Sequence, residues 1–150
     1  TLDVAHKKGI ASRRGRAAAL NIVPTTTGAA SAVGKVIPAL LGKLDGIAMR
    51  VPTGTGSAVD LVVELKKKVT VEAVNKAMKK AADESFGYTE DPIVSSDIIG
   101  DHHGGVLDAA STCLLEVDGK QLVKLIAWYD NEMGYTAQMV RLAKHIAHQK

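Results

Sequence analysis

Two apolar segments, residues 106–117 and 122–129, are separated only by the four residues 118–121, with the turn Asp118-Gly119-Lys120, and this spacing constrains the fold more than any other feature. A parallel pair needs a crossover of a dozen or more residues, so a gap this short joins two antiparallel strands. Two more segments alternate. In 44–51, Ile47, Met49 and Val51 share one face and Arg50 takes the other. In 57–66, Val59, Leu61, Val63 and Leu65 lie on one face, with Asp60 and Glu64 opposite. Pro52-Thr53-Gly54-Thr55-Gly56 between them is turn chemistry, so these two segments are expected to pair with each other.

Three other stretches read as helix. Thr27 stands as N-cap before the Ala/Val-rich stretch 29–41, a buried helix that Pro38 should loosen or end. Thr70 caps a second helix, with Val71, Val74, Met78 and Ala81 at helical spacing and Lys76, Lys79 and Lys80 on a solvated face. Asp130 or Asn131 caps a third, which is expected to bury Met133, Ala137, Val140 and Ala143. Residues 1–16 show neither period and read as an extended loop, and the segment around Pro92 is irregular. The expectation is one α+β domain, a mostly antiparallel sheet with about three helices, with no repeat and no linker. Aromatic residues make up only 3% of the chain, so its core must be aliphatic.

Charge narrows the function classes. With 19 basic and 16 acidic residues, the net charge of +3 is too balanced to argue for nucleic acid. The basic residues are uneven, however: His6, Lys7, Lys8, Arg13, Arg14 and Arg16 crowd the first sixteen positions against Asp3 alone. Such a cluster is either a solvated loop or a site for an anion. No apolar run approaches membrane-spanning length. Arg13-Arg14 before the apolar run 17–23 imitates an export signal, but Asn21 interrupts that run and Pro24 ends it. A single cysteine, Cys113, excludes an internal disulfide and fits a reducing compartment, so a cytoplasmic location is expected.

Several motifs fail on inspection. Gly28 to Lys35 has five residues between its glycines where a phosphate-binding P-loop needs four, and Val36 sits where the motif needs Ser or Thr. Gly54-Thr55-Gly56 leads into a strand instead of a helix and carries Val59 where a third small residue belongs. Cys113 shares parity with Leu107, Ala109, Leu115 and Val117, so it is expected to point into the core as a structural residue. His145 and His148 share a helix face without Cys or carboxylate partners, and His102-His103 lie in a loop; all read as solvated, and no metal site is expected.

One constellation holds. Thr25-Thr26-Thr27-Gly28 stands where a helix begins, so the N–H groups of Gly28, Ala29 and Ala30 are expected to point outward, and the helix dipole favours negative charge there. Arg50, mid-strand on a polar face, and Arg13, Arg14 and Arg16 upstream could supply planar donors to the same oxyanion.

The motifs around that site resemble a known family. Arg13-Arg14-Gly15-Arg16-Ala17-Ala18-Ala19, followed by Asn21-Ile22-Val23-Pro24-Thr25-Thr26-Thr27-Gly28-Ala29-Ala30, is similar to the stretch of glyceraldehyde-3-phosphate dehydrogenases that follows their S-loop. Matches continue in the family's order: Gly46-Ile47-Ala48-Met49-Arg50-Val51-Pro52, Ser57-Ala58-Val59-Asp60-Leu61, Tyr88-Thr89-Glu90-Asp91-Pro92 and Trp128-Tyr129-Asp130-Asn131-Glu132. The departures are local: Gly104-Gly105 replaces a serine pair, Gly54 a proline and Met133 a tryptophan.

The resemblance implies a catalytic-domain portion that begins inside the S-loop, with the nucleotide-binding domain, the catalytic cysteine and its activating histidine upstream. These enzymes oxidise glyceraldehyde 3-phosphate through a cysteine thiohemiacetal, pass hydride to NAD (or NADP) and release the acyl group to inorganic phosphate. By the same resemblance, Arg50 matches the arginine that serves both anion subsites and Arg14 a second phosphate-site arginine. Thr27 and Gly28 match an anion-binding pair, Asn131 the asparagine that fixes the nicotinamide carboxamide, and Tyr135 a tyrosine near that ring. The implied partners are a phosphorylated aldehyde, phosphate and further copies in a tetramer, with no membrane or nucleic acid. No catalytic residue is expected within these 150 residues, nor tight cofactor binding by them alone. The alternatives are an erythrose-4-phosphate dehydrogenase and a non-catalytic anion-binding module of the same fold.

Overall fold

The computed structural model describes residues 8–149. His6 and Lys7 of the basic cluster, and the first part of the expected loop 1–16, lie outside the described residues. The chain gathers into two compact units, Thr1–Gly54 and Thr55–Lys150, where the sequence reads as one uninterrupted domain. Among the described residues the architecture is α+β, with two sheets, three α-helices and short 3-10 helices.

In the first unit, strands β1 (Val23–Thr26) and β2 (Ile47–Arg50) pair antiparallel, with Val23 opposite Arg50 and Thr25 opposite Ala48. Helix α1 (Ala29–Val36) lies between them in sequence and gives way to a 3-10 turn over Pro38–Leu40. Proline lacks the N–H that would continue the ladder, so the stop is where the sequence places it. The 3-10 helix Gly9–Gly15 packs against β1, so this stretch is ordered helix instead of extended loop. Burial differs from expectation too. Only Gly34 of α1 is buried, because an added Cβ there would lie 3.0 Å from Leu41 Cα, while Val36 is 81% exposed.

The second unit is built on a four-stranded sheet in the order β3-β6-β5-β4. Its centre is the hairpin of β5 (Gly105–Val117) and β6 (Lys120–Tyr129). Asp118 and Gly119 close it with φ of +50° and +77°, the left-handed pair that matches the twist of the strands. β3 (Ser57–Glu64) pairs antiparallel with β6, not with β2 as the turn chemistry of Pro52–Gly56 implies; the two strands belong to different sheets. β4 (Phe86–Thr89) pairs parallel with β5 and falls in the stretch that reads as irregular.

Leu107 and Val123, each 1% exposed, anchor an aliphatic core with Val106, Ile98 and Ala109. The register of β5 on β6 slips between Asp108 and Cys113. Buried Asp108 braces that irregularity, accepting from the Ser111 backbone N–H (3.1 Å), the Ser111 hydroxyl (2.8 Å) and Trp128 Nε1 (3.3 Å). Beyond the slip the buried positions change parity: Thr112 goes in, and Cys113, Leu115 and Val117 come out. Cys113 is therefore exposed, against the expectation that it faces the core.

Helix α2 (Val71–Ala81) starts as its sequence predicts, with Thr70 Oγ1 accepting the Ala73 N–H at 3.1 Å. Thr70→Ala is expected to destabilise the chain by about 1 kcal/mol, the usual worth of an N-cap, with the denaturation midpoint as readout. A fall of less than about 0.3 kcal/mol would show that this cap contributes nothing beyond a solvated turn. On the far side of α2, Lys79 reaches Glu90 at 2.9 Å, and the same carboxylate accepts from Tyr88 OH at 3.1 Å.

Helix α3 (Met133–His148) begins on Asp130, whose Oδ1 accepts the N–H groups of Glu132 (2.9 Å) and Met133 (2.8 Å). Its Oδ2 takes the Gly100 N–H at 2.9 Å, and the residue is 6% exposed. Gly134 is obligatory here, since an added Cβ would stand 2.6 Å from the His103 carbonyl oxygen. The expected buried face is not buried: Met133, Val140 and Ala143 are exposed and Ala137 is half-buried. His103 is not simply solvated, since its Nδ1 lies 2.8 Å from Asp101 Oδ1. Among the described residues, no helix is long and apolar enough to cross a membrane.

The Gly100, Met133 and Glu132 N–H groups hold the Asp130 carboxyl below its ordinary value of 3.8, against the opposing effect of burial. A depressed folded-state pKa gives stability that is present above the unfolded value and lost as pH falls through the folded one. Asp130→Asn is therefore expected to flatten the fall of melting temperature with pH below about 4. An acid limb as steep in the variant as in the wild type would contradict this.

Candidate functional site

The site residues named from sequence fall into two groups, one in each compact unit. In the first unit the antiparallel register sets Arg50 across from Val23, one diagonal step from Thr25. Arg50 Nε donates to Thr25 Oγ1 at 3.3 Å. Thr25 is 8% exposed, so it offers a fixed acceptor, while the Arg50 side chain is open to solvent. One edge of the guanidinium is thereby held to the protein, and among the described residues its two terminal nitrogens meet no hydrogen-bond partner.

Next to this, Thr27 Oγ1 accepts the Ala29 N–H at 3.2 Å. The helix N-cap is Gly28 and not Thr27, although the Thr27 hydroxyl does take an orphan donor of the first turn. The Ala29 N–H is thus spoken for, and among the described residues the Gly28, Ala30 and Ser31 amides are left without an acceptor at the α1 entrance. Gly28 has φ of −89° and open space where a Cβ would stand, so neither backbone nor packing demands glycine there. Arg14 is half-buried on the 3-10 helix Gly9–Gly15, which packs against β1. Thr25, part of the Thr25–Gly28 constellation, was not singled out from sequence as the residue that holds Arg50.

In the second unit, Asn131 follows β6 and sits between Asp130 and the start of α3. Its Nδ2 donates to Ser57 Oγ at 2.8 Å, and the same hydroxyl is 3.1 Å from its Oδ1. Thr55 Oγ1 donates to Glu132 Oε2 at 3.4 Å across the same strand ends. Tyr135, in the first turn of α3, is 66% exposed and presents its ring to solvent. Ser57 was not named from sequence as a site residue; only its register opposite Tyr129 brings it to Asn131.

Chemically, the first group suits a tetrahedral oxyanion and the second a planar amide-like group. The family model described as the glyceraldehyde 3-phosphate dehydrogenase C-terminal domain matches residues 1–131. The glyceraldehyde-3-phosphate dehydrogenase of Clostridium acetobutylicum is 60% identical over 147 residues, 98% of this chain and 44% of that protein. That of Streptococcus pyogenes is 60% identical over 146 residues, 97% of this chain and 43% of its own length. That of Clostridium pasteurianum is 58% identical over 147 residues, 98% of this chain. The chain thus spans less than half the length of the curated relatives it matches. With its matched region running from the basic N-terminal segment to Asn131, the chain belongs to the glyceraldehyde 3-phosphate dehydrogenase C-terminal domain family.

Proposed function

We propose that this chain is the catalytic-domain portion of a phosphorylating glyceraldehyde-3-phosphate dehydrogenase subunit, which oxidises glyceraldehyde 3-phosphate to 1,3-bisphosphoglycerate in glycolysis. The observation that carries the reading is the Arg50 guanidinium, tied by Nε to buried Thr25 with its other nitrogens open. An arginine held this way is preorganised for a phosphoryl group. Thr27, Gly28 and Arg14 complete the phosphate-binding set, and the α1 entrance adds backbone donors of the right polarity.

NAD (or NADP) supplies the hydride acceptor when bound. The exposed Asn131 amide, with the Ser57 hydroxyl 2.8 Å from Nδ2 and 3.1 Å from Oδ1, keeps a second proton and a second lone pair for a carboxamide, and Tyr135 lies in the following helical turn. The remaining parts of the reaction, the cysteine nucleophile, its histidine and the nucleotide-binding domain, are assigned to the rest of the subunit. The chain alone is not proposed to hold the cofactor tightly or to carry a catalytic residue. Exposed apolar side chains such as Leu20, Val36, Ile47 and Leu142 favour assembly with further protein surface, in a cytoplasmic homotetramer. The test is Arg50→Ala in the complete subunit, for which a fall in kcat/KM of about 10- to 150-fold is expected. Unchanged turnover would remove Arg50 from the site.

A further inference from the structure

Strand β2 follows directly on the dipeptide Asp45-Gly46, and its first residue, Ile47, pairs with Thr26 of β1. Residues 44–46 belong to no helix or strand, and both Asp45 and Gly46 are exposed. The Gly46 N–H donates to the carboxylate just before it, Asp45 Oδ1, at 2.8 Å. Cγ is the next atom beyond that oxygen, so the Gly46 nitrogen stands close to the separation at which a ring closes, about 3–3.5 Å. Among the described residues the Asp45 carboxylate has no other partner. Its side chain is therefore free to swing Cγ out of the amide plane and over the face from which nitrogen attacks.

Gly46 supplies the second condition. It has no Cβ to shield its nitrogen, and the space where one would stand is empty. A second Asp-Gly pair, Asp118-Gly119, offers the same sequence in a different setting. Its φ values of +50° and +77° belong to a hairpin turn closed by the pairing of Val117 with Lys120. Among the described residues, no hydrogen bond brings the Asp118 carboxylate to the Gly119 N–H. The backbone thus favours ring closure at one pair and holds it off at the other.

We propose that Asp45-Gly46 is a site of spontaneous covalent modification, the isomerisation of Asp45 to isoaspartate through a cyclic imide. The Gly46 nitrogen attacks Asp45 Cγ, and the new N–C bond replaces a C–O bond. The carboxyl hydroxyl leaves as water, taking the proton of the Gly46 nitrogen. Water then adds back and opens the imide at either carbonyl. Opening at the Asp45 backbone carbonyl routes the chain through the side chain, with mass unchanged and one extra carbon in the main chain. That carbon enters directly ahead of β2. Among the described residues β2 pairs with β1 alone, and a two-stranded ribbon has little stability to spare, so the insertion loosens the pairing that sets Arg50 beside Thr25. Neither step depends on what Arg50 binds.

The test incubates the complete subunit in heavy-oxygen water at mildly acidic pH. Each imide opening then leaves a heavy oxygen at the residue concerned, located by tandem mass spectrometry. In the folded protein, label at Asp45 is expected to exceed label at Asp118 by at least about tenfold, and in strong denaturant the two should converge to within about twofold. Gly46→Ala fits the open space and meets no left-handed φ, and it should slow labelling of Asp45 by about tenfold. Asp45→Glu keeps the charge but cannot close the same ring, so it should abolish the label. In the isoaspartate-containing fraction, amides of β1 and β2 should exchange with deuterium at least about tenfold faster than in the unmodified fraction. Equal labelling of Asp45 and Asp118 in the folded protein overturns the inference. So does an unchanged rate in Gly46→Ala, or unchanged exchange in β1 and β2 of the modified fraction.

Discussion

Arg50→Ala is expected to abolish most phosphate or sulfate binding by the described site, weakening a millimolar Kd by about 10- to 150-fold. The starting affinity follows from the site's openness: a few charge-assisted bonds at a solvent-exposed guanidinium support about −4 kcal/mol, or a Kd on the order of 1 mM. Each such bond contributes ~1.5–3 kcal/mol, which sets the range of the loss. The position of Arg50 makes the effect large. Its Nε is anchored on Thr25 at 3.3 Å, so little rotamer freedom remains to be lost when the anion arrives. Thr25→Val should reproduce part of the loss without removing the charge, because it frees the guanidinium from its anchor. Arg14→Ala should cost less than Arg50→Ala, though more than a mobile loop would imply, since Arg14 is half-buried on a 3-10 helix that packs on β1. Calorimetry or thermal shift with inorganic phosphate reads all three. Equal affinity in wild type and Arg50→Ala would show that the α1 entrance, not the arginine, holds the anion.

What could be read from the sequence was local. Thr70 and the Asp118-Gly119 turn act within a few residues of themselves, and α2 and the β5–β6 hairpin form where those residues indicate. Arg50 and Asn131 stand out in sequence for the same reason, since their flanking motifs are contiguous. Pairing partners were not legible. Pro52–Gly56 has the composition of a hairpin turn, yet β2 pairs back to β1 and β3 pairs forward to β6, because partner choice is settled by surfaces distant in sequence. β4 is short and contains Gly87, so it carries little strand propensity of its own; it is held by β5 alongside it. Cys113 shows how one irregularity defeats a parity argument. The register slip between Asp108 and Cys113 turns Cys113, Leu115 and Val117 to the exposed face, and nothing in the alternation of 106–117 announces it. Burial on α1 and α3 failed for a different reason. Apolar spacing records that a face is made for contact, not which surface supplies the contact.

The exposure of Cys113 bears on the largest effect expected. A polypeptide limited to these 150 residues should show no phosphate-dependent reduction of NAD by glyceraldehyde 3-phosphate, at least about 10⁴-fold below a complete subunit. Its one thiol is accessible, so burial does not exclude it. Activation does. A nucleophilic thiol needs a base within hydrogen-bond reach or a cationic setting that favours the thiolate. Among the described residues, no hydrogen-bond partner reaches the Cys113 sulfur, and the residue opposite it on β6 is Lys124. That ammonium is already committed to Asp60 at 2.9 Å, and the Asp60 carboxylate holds it protonated beyond the ordinary lysine value. A lysine held protonated cannot take up a thiol proton, and its charge is balanced by the Asp60 carboxylate it pairs with, so it offers the sulfur little cationic setting either. Reduced nicotinamide formed by the 150-residue polypeptide, and lost in Cys113→Ser, would overturn this and place the chemistry on β5. Cys113→Ser in the complete subunit should leave turnover within about twofold, since a surface substitution away from the site changes little.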